Sequence, residues 1–591
     1  MSAGLFQEHK QLILIILVIL LGFTVYANSL SGQFIWDDAA LIKNNRYIKD
    51  WSNFAAIFTR DSGSGSSVVL NFYRPLQVFT YTIDHSLWGL NVVGYHLTNV
   101  VLHLLVALAV YRLVMLIFGS IPLSFFTAVL FVIHPAHTEA VSYLSGRADS
   151  LSTLFILLCL IFYIKNTRSF KPGAYIVMVS SCVLAFLSKE NALVITPILL
   201  LYNYVFKQKI KWRIFLPPLI ISLIYLFLRA VTLQAFFFGP VMIAKRIPGF
   251  FAALTNYFKI LLVPVNLHME YGNKLFGITD PRVLTGLAVF FLLLFLAFRK
   301  RESNRLVTFA VLWFFIAFLP TTSIYPIHSF YMAEHWLYLP SIGFFLLLAQ
   351  ALVLLYEKKN YRLAAFSVLI CFLSAYAYLT IKQNNYWKSE REFYQRTLQY
   401  APESFMAHNN LGNIYLNSGN KADAVKEYLK AVHFNPRFAP AYFNLGNIYS
   451  ESASQEAGIK MYLKAIEIDP QRAEVYYDLG NVYHNLGKRE RSMELMQKAI
   501  KLDPVYLEAY NNLASDYAEM GNIDEALRLW NESTKIDPSF AVAHFNLSVY
   551  YFKRKQYDLA LDHCDKVLKL GYQVDQRFLK ELEPFRNKKS Q

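Results

Sequence analysis

Residues 402–446 read PESFMAHNNLGNIYLNSGNKADAVKEYLKAVHFNPRFAPAYFNLG, and the end of this stretch restarts its beginning. Pro402 returns as Pro436, then as Pro470, Pro504 and Pro538. Leu411-Gly412 returns on the same step as Leu445-Gly446, Leu479-Gly480, Leu513-Ala514 and Leu547-Ser548. A small residue keeps the step too, as Ala424, Gly458, Ser492, Ala526 and Ala560. A fixed interval of this length marks a pair of antiparallel helices stacked on its own copies, with the small residues where two helices pass closely. Five repeats are expected over 403–572, preceded by a half-repeat and linker at 383–402 and followed by a charged tail at 573–591.

The period resembles that of the tetratricopeptide repeat, an α-solenoid that holds partners along one face. The rest of the chain is different material. Of the 591 residues, 55% are hydrophobic, with 39 Tyr and 48 Phe, and the polar solenoid dilutes an apolar first part. Apolar runs of spanning length are expected at 11–29, 97–118, 122–142, 150–166, 173–188, 191–206, 213–231, 282–298, 305–320, 336–356 and 363–381. No small-residue cleavage site follows the first run, which reads as an uncleaved span. The fold class is therefore all-α: a polytopic helical membrane domain over 1–382, then the solenoid.

Charge sets the expected orientation. The connections 165–171, 207–213, 299–305 and 357–362 are rich in Lys and Arg, which favours the cytoplasmic side. Eleven spans and a cytoplasmic N-terminus place all four inside; counting 248–264 as a twelfth puts the last two outside. That segment, interrupted by Asn256, Lys259 and Pro264, is expected to lie at the interface. The loop 30–95 and the repeats then share the extracytoplasmic side. Short loops and four scattered Cys favour a prokaryotic inner membrane, with the endoplasmic reticulum as the eukaryotic counterpart. The net charge of +16 is spread over loops rather than pooled on one stripe, so no nucleic-acid partner is expected.

The chemistry-bearing residues cluster in that first loop and at the same membrane face. Trp36-Asp37-Asp38 offers a ring that can stack on a sugar and two carboxylates able to take a proton, and is equally a solvated turn. Arg74 is a fork for phosphate oxygens or a head-group arginine at the membrane edge. His134 and His137 are one turn apart with Glu139 near, followed by Arg147 and Asp149. Pro135 interrupts that turn and no HExxH pattern exists, so a cavity or phosphate site is expected there and no metal. Lys189 and Glu190 form either a paired hairpin or a phosphate ligand. Glu334 and His335 precede the span at 336–356.

In order, WDD, NFYRPL, GYHLTNVVLH, HPAHTEAVSYLSGRADSLS, SKEN and AEHWLYLPS, followed by the repeats, resemble the transmembrane and tetratricopeptide-repeat O-mannosyltransferase family, membrane enzymes of the GT-C fold. The resemblance implies an inverting transfer of a mannose-like sugar from a polyprenyl-phosphate donor to a protein hydroxyl; no cofactor is expected beyond that donor, a divalent metal being the less favoured alternative. It implies Asp37 and Asp38 as the catalytic acids, one of them the base. Arg74, Arg147, Lys189 and His335 would hold the donor phosphate. Trp36, His134, His137, Glu139, Asp149, Glu190 and Glu334 would line the cavity. His335 stands where relatives often carry Arg, which puts its phosphate role in question. The expected partners are the lipid-linked donor, membrane lipid and an acceptor polypeptide held by the solenoid. Two other functions remain open at this point: a membrane-anchored scaffold, and a flippase for lipid-linked sugar.

Overall fold

Helices beginning at proline or behind a polar cap build the first part of the chain. Pro75, Pro172 and Pro281 each open a helix, where a missing N–H costs nothing and the fixed φ suits the first turn. Asn91 caps Val92–Phe118 by accepting the Val93 N–H, and Gly119 ends it at φ +66°, a left-handed stop that a Cβ disfavours. A computed structural model describes the backbone of residues 2–66, 70, 72–232, 240–272, 274–321, 331–452 and 454–589, and their side chains except at 2–8, 229–232, 240–244 and 587–589. Asn71 and the middle of the expected loop 321–335 lie outside the described residues. No strand occurs among the described residues.

The chain divides into two compact units, Met1–Pro402 and Glu403–Gln591. Among the described residues of the first, five helices are long and apolar enough to cross a membrane, six if the bent pair Ile121–Val132 and Pro135–Val141 is one span. Shorter apolar helices occupy Pro172–Ser188, Trp212–Leu228, Arg305–Thr321 and Ser341–Glu357. A helix also covers Ile195–Val205, so each of the eleven apolar runs contains helix. The run 122–142 is not one straight rod: it bends by 57° where Pro135 cannot continue the ladder. Large apolar side chains face outward along these helices, among them Leu284, Phe291 and Phe295, and Leu363, Phe366 and Ile370. In water such surfaces would be costly, and in a bilayer they are solvated.

The segment 248–264 belongs to a helix, Pro240–Leu262, which runs through Asn256 and Lys259 and stops before Pro264. Its Ala253, Leu254, Tyr257 and Leu261 are buried in the main core. The long first loop is folded rather than slack. Leu41, Ile42, Tyr47, Ile48 and Ile57 make a small core with Val78, Tyr81, Tyr95 and Leu144. Asp61 ties the loop by accepting the N–H groups of Gly63, Leu70 and Phe72.

The second unit is a stack of five helix pairs, from Phe405–Asn417 with Lys421–Phe434 to Ala541–Lys553 with Tyr557–Lys569. Ala424, Ser492, Ala526 and Ala560 have no exposed surface. At Gly458 an added Cβ would stand 2.8 Å from the Ser450 backbone nitrogen, so the small-residue ladder reports the closest helix approach. Residues 576–589 of the charged tail form one more helix, whose Leu582 is buried against the last pair.

Candidate active site

The first long loop turns sharply at Trp36, which adopts φ +53°. That region is strained for a residue with a Cβ and persists only where surrounding contacts hold it. The turn separates two neighbouring carboxylates. Asp38 points inward and is 1% exposed. Its Oδ1 accepts from the Ser145 amide at 2.9 Å and the Ser145 hydroxyl at 2.5 Å, and its Oδ2 from the Ile35 amide at 2.9 Å. Burial nonetheless pushes its carboxyl up to about 7, because desolvation penalises the charged form more than three donors favour it.

Asp37 is half-buried. Burial raises its carboxyl above the usual range, opposed by the nearby Tyr143 hydroxyl and by the positive field of Arg74. Of the two acids, Asp37 keeps the accessible carboxylate, while Asp38 is anchored to the start of the next helix through Ser145. Gly146 fits this corner because a Cβ there would meet the Glu139 carbonyl oxygen at 2.3 Å.

Two buried ion pairs follow, the first of them near enough for its Arg74 to act on Asp37. Arg74 grips Glu190 with Nη2–Oε1 at 2.7 Å and Nε–Oε2 at 3.3 Å. Lys189 bonds both oxygens of Asp149 at 2.8 Å. Asp149 also acts on Arg74 through space. Five expected residues from four separate parts of the sequence, Asp37, Arg74, Asp149, Lys189 and Glu190, are thus linked, by the two ion pairs and by the field around Arg74. A charge-balanced set of this kind holds its members in fixed orientations, and removing any one leaves its partner buried and unpaired.

A second group forms around Glu139, whose two oxygens take the His335 amide at 2.8 Å and the His335 ring Nδ1 at 2.7 Å. Beside it Glu334 accepts from the His268 amide and the Tyr271 hydroxyl, both at 2.6 Å. Burial and the nearby Glu139 raise the Glu334 carboxyl well above the usual range.

Three expectations need correction. Arg147 is wholly buried and spent on Asp84, Asn99, the Tyr95 carbonyl and Thr80, so it braces helices rather than presenting a fork to phosphate. His134 and His137 have no exposed surface. The bend at Pro135 turns both rings into the core, where His137 bonds the Phe131 carbonyl and the Ser341 hydroxyl and His134 caps the short turn through the Ala136 amide. Ser145, which holds Asp38, and Tyr143, which stands near Asp37, were missed although they lie inside the quoted SYLSGRADS stretch; hydroxyl residues beside a helix start were the available signal. In the repeats, His484, Asp516 and Glu519 bring their ligand atoms within 4.8 Å of one another. Arg489 already lies among them, 2.5 Å from Glu519, so the group is a staple between successive repeats.

The fold defines a class: a many-helix, membrane-compatible chain ending in a tetratricopeptide solenoid. Tetratricopeptide-repeat models match residues 412–452, 454–487, 473–506 and 511–572. Curated relatives over the longer chain carry the name that the ordered motifs pointed to. A protein O-mannosyl-transferase of Caenorhabditis elegans is 28% identical over 442 residues, covering 71% of this chain and 62% of that protein. Protein O-mannosyl-transferase TMTC4 of Homo sapiens is 26% identical, covering 68% of this chain and 64% of its own length. The chain thus spans somewhat over three fifths of these relatives. Among solved structures, YrrB, titled a TPR protein with an unusual peptide-binding site, is 24% identical, covering 33% of this chain and 99% of its own, with a TM-score of 0.29.

Proposed function

We propose that this chain is a membrane glycosyltransferase that moves a mannose-like sugar from a polyprenyl-phosphate donor to a hydroxyl of a polypeptide, on the extracytoplasmic side. The observation that carries the reading is the division of labour at the strained turn: Asp38 is locked by three donors, and Asp37 stands half-buried beside Arg74 with its basicity raised by burial. A carboxylate of raised pKa is the better general base. Asp37 takes the proton of the acceptor hydroxyl as its oxygen attacks the anomeric carbon. The bond from that carbon to the phosphate oxygen breaks with inversion, and polyprenyl phosphate leaves.

Arg74 and Lys189 supply positive charge where the departing phosphate gains negative charge, the kind of prearranged field that contributes most to such steps. The Nη1 edge of Arg74 is not used in its fork with Glu190, and remains for a phosphate oxygen. His335 is a third candidate, tethered by Glu139. Trp36, Asp149, Glu190 and Glu334 shape and neutralise the surroundings. The solenoid holds the acceptor, and the relatives' name, protein O-mannosyl-transferase, supports a polypeptide acceptor.

The test is consumption of lipid-linked sugar by purified variants. Asp37→Asn is expected to lower turnover about 10²–10⁴-fold, the usual worth of a general base, without losing donor binding. Asp38→Asn is expected to lose stability, by about 1–3 kcal/mol, because an amide cannot accept from all three donors. Full turnover by Asp37→Asn overturns the assignment. Partner binding without sugar transfer in the wild type points instead to a scaffold, and lipid movement without bond cleavage to a flippase.

A further inference from the structure

The turn that carries Asp37 is gripped by the segment leaving the last helix of the first unit. Arg362–Asn384 passes into a short turn, Asn385–Trp387, and then into the helix Glu390–Tyr400. Both lie within the first compact unit. The Lys388 carbonyl accepts the Gln33 amide at 2.9 Å. The Glu390 carboxylate takes the Trp36 backbone N–H. Trp387 stacks on Tyr143 at 5.4 Å and 21°, and Tyr143 on Trp36 at 6.3 Å and 22°. Phe393 closes the ring of contacts, 5.1 Å from Trp387 and 6.1 Å from Trp36.

Such a collar answers a physical need. A tryptophan at positive φ relaxes unless its backbone and ring are both held. The Glu390 bond fixes the Trp36 amide, and the stack of Trp36, Tyr143 and Trp387 fixes its ring. Asp37 follows Trp36 directly, so the φ of Trp36 decides where the Asp37 carboxylate stands. The hydroxyl of Tyr143, the central ring of the stack, lies close enough to Asp37 to act on its carboxyl.

We propose that Trp387, Glu390 and Phe393 are positioning residues for Asp37: the segment between the last span and the repeats is a working part of the acid turn, not a passive tether. The inference rests on the proposed role of Asp37, and it assigns to 385–393 a control over the reaction that a mere linker would lack. Displacing this segment would let Trp36 relax and swing the base away from the anomeric centre, while donor contacts through Arg74 and Lys189 stay in place.

The experiment uses the full-length chain in detergent or nanodiscs, with polyprenyl-phosphate mannose and an acceptor polypeptide. Glu390→Ala and Trp387→Ala are expected to lower kcat about tenfold or more with the donor KM unchanged within about twofold, as loss of positioning costs orders of magnitude in rate. Glu390→Gln, which keeps an acceptor for the Trp36 N–H, and Trp387→Phe, which keeps a ring, are expected to recover most of the rate. Hydrogen exchange of the amides of residues 36–41 is the readout independent of turnover, and is expected to quicken in the two alanine variants and not in the conservative pair. Wild-type kcat and wild-type exchange in both alanine variants would overturn the inference. An equal loss in the alanine and conservative variants would also overturn it. Asp37→Asn in the same assay separates the two claims: if that variant turns over normally, the role of Asp37 fails, whereas the exchange data still decide whether 385–393 holds the turn.

Discussion

Asp37 and Asp38 are neighbours in the chain and opposite in employment. Three donors and near-complete burial fix Asp38, yet desolvation leaves its carboxyl near 7 against an ordinary 3.8. Between about pH 4 and 7 the folded chain holds a proton that the unfolded chain has released. Stability from this group is therefore full below about pH 4 and falls as pH rises to 7. Thermal melts of wild type and Asp38→Asn at pH 5 and pH 8 check the sign. The wild type is expected to lose more of its midpoint over that interval than the variant, which has nothing to titrate. At the same scale, Arg147 shows why a charged residue type alone does not identify a ligand: its guanidinium is consumed by Asp84, Asn99 and Tyr95, and burial without slack leaves no edge for a substrate.

Among the elements, the repeat helices and the bent span were unequally legible. Prolines and small residues on a fixed step located every helix pair, because each pair buries the same face against its neighbour. At the tightest crossing Gly458 meets the Ser450 backbone. Gly458→Leu is expected to destabilise the repeats by about 1–3 kcal/mol through overpacking, seen as faster limited proteolysis between residues 403 and 572. Gly446→Ala, whose Cβ would meet the Tyr462 ring instead of backbone, tests the contrast and should be milder, since a ring can shift. The bend at Pro135 was legible as an interruption. Its consequence was not, since only packing shows that His137 turns toward Phe131 and Tyr338 and His134 toward Phe345.

Over the whole molecule, sidedness is the remaining structural expectation. Positive residues cluster in alternate short connections, and the acid turn lies in a loop without that bias. Lys43 and Lys209 are both exposed, one in the first long loop and one in a basic connection. An impermeant thiol reagent applied to intact cells or sealed vesicles from the extracytoplasmic side is expected to label Lys43→Cys and to miss Lys209→Cys until the membrane is opened. Lys488→Cys, exposed in the repeats, is expected to label with Lys43→Cys. Labelling of Lys209→Cys alone would place the acid turn in the cytoplasm and remove the proposed donor leaflet.

By itself the sequence determined what repeats along it: the helical period of the solenoid, the apolar runs, the alternation of basic connections, and an ordered set of motifs. These are local or periodic properties, written wherever burial recurs at a constant interval. Only the tertiary structure decided which polar residues meet. It joined Arg74 to Glu190, Lys189 to Asp149 and Ser145 to Asp38, and it set Trp387 and Glu390 against the turn at Trp36. Those pairings close distances of tens to hundreds of residues, and charge type cannot choose among partners when several carboxylates and cations are available. Packing chooses, because in a buried site each group must find the one geometry that satisfies it.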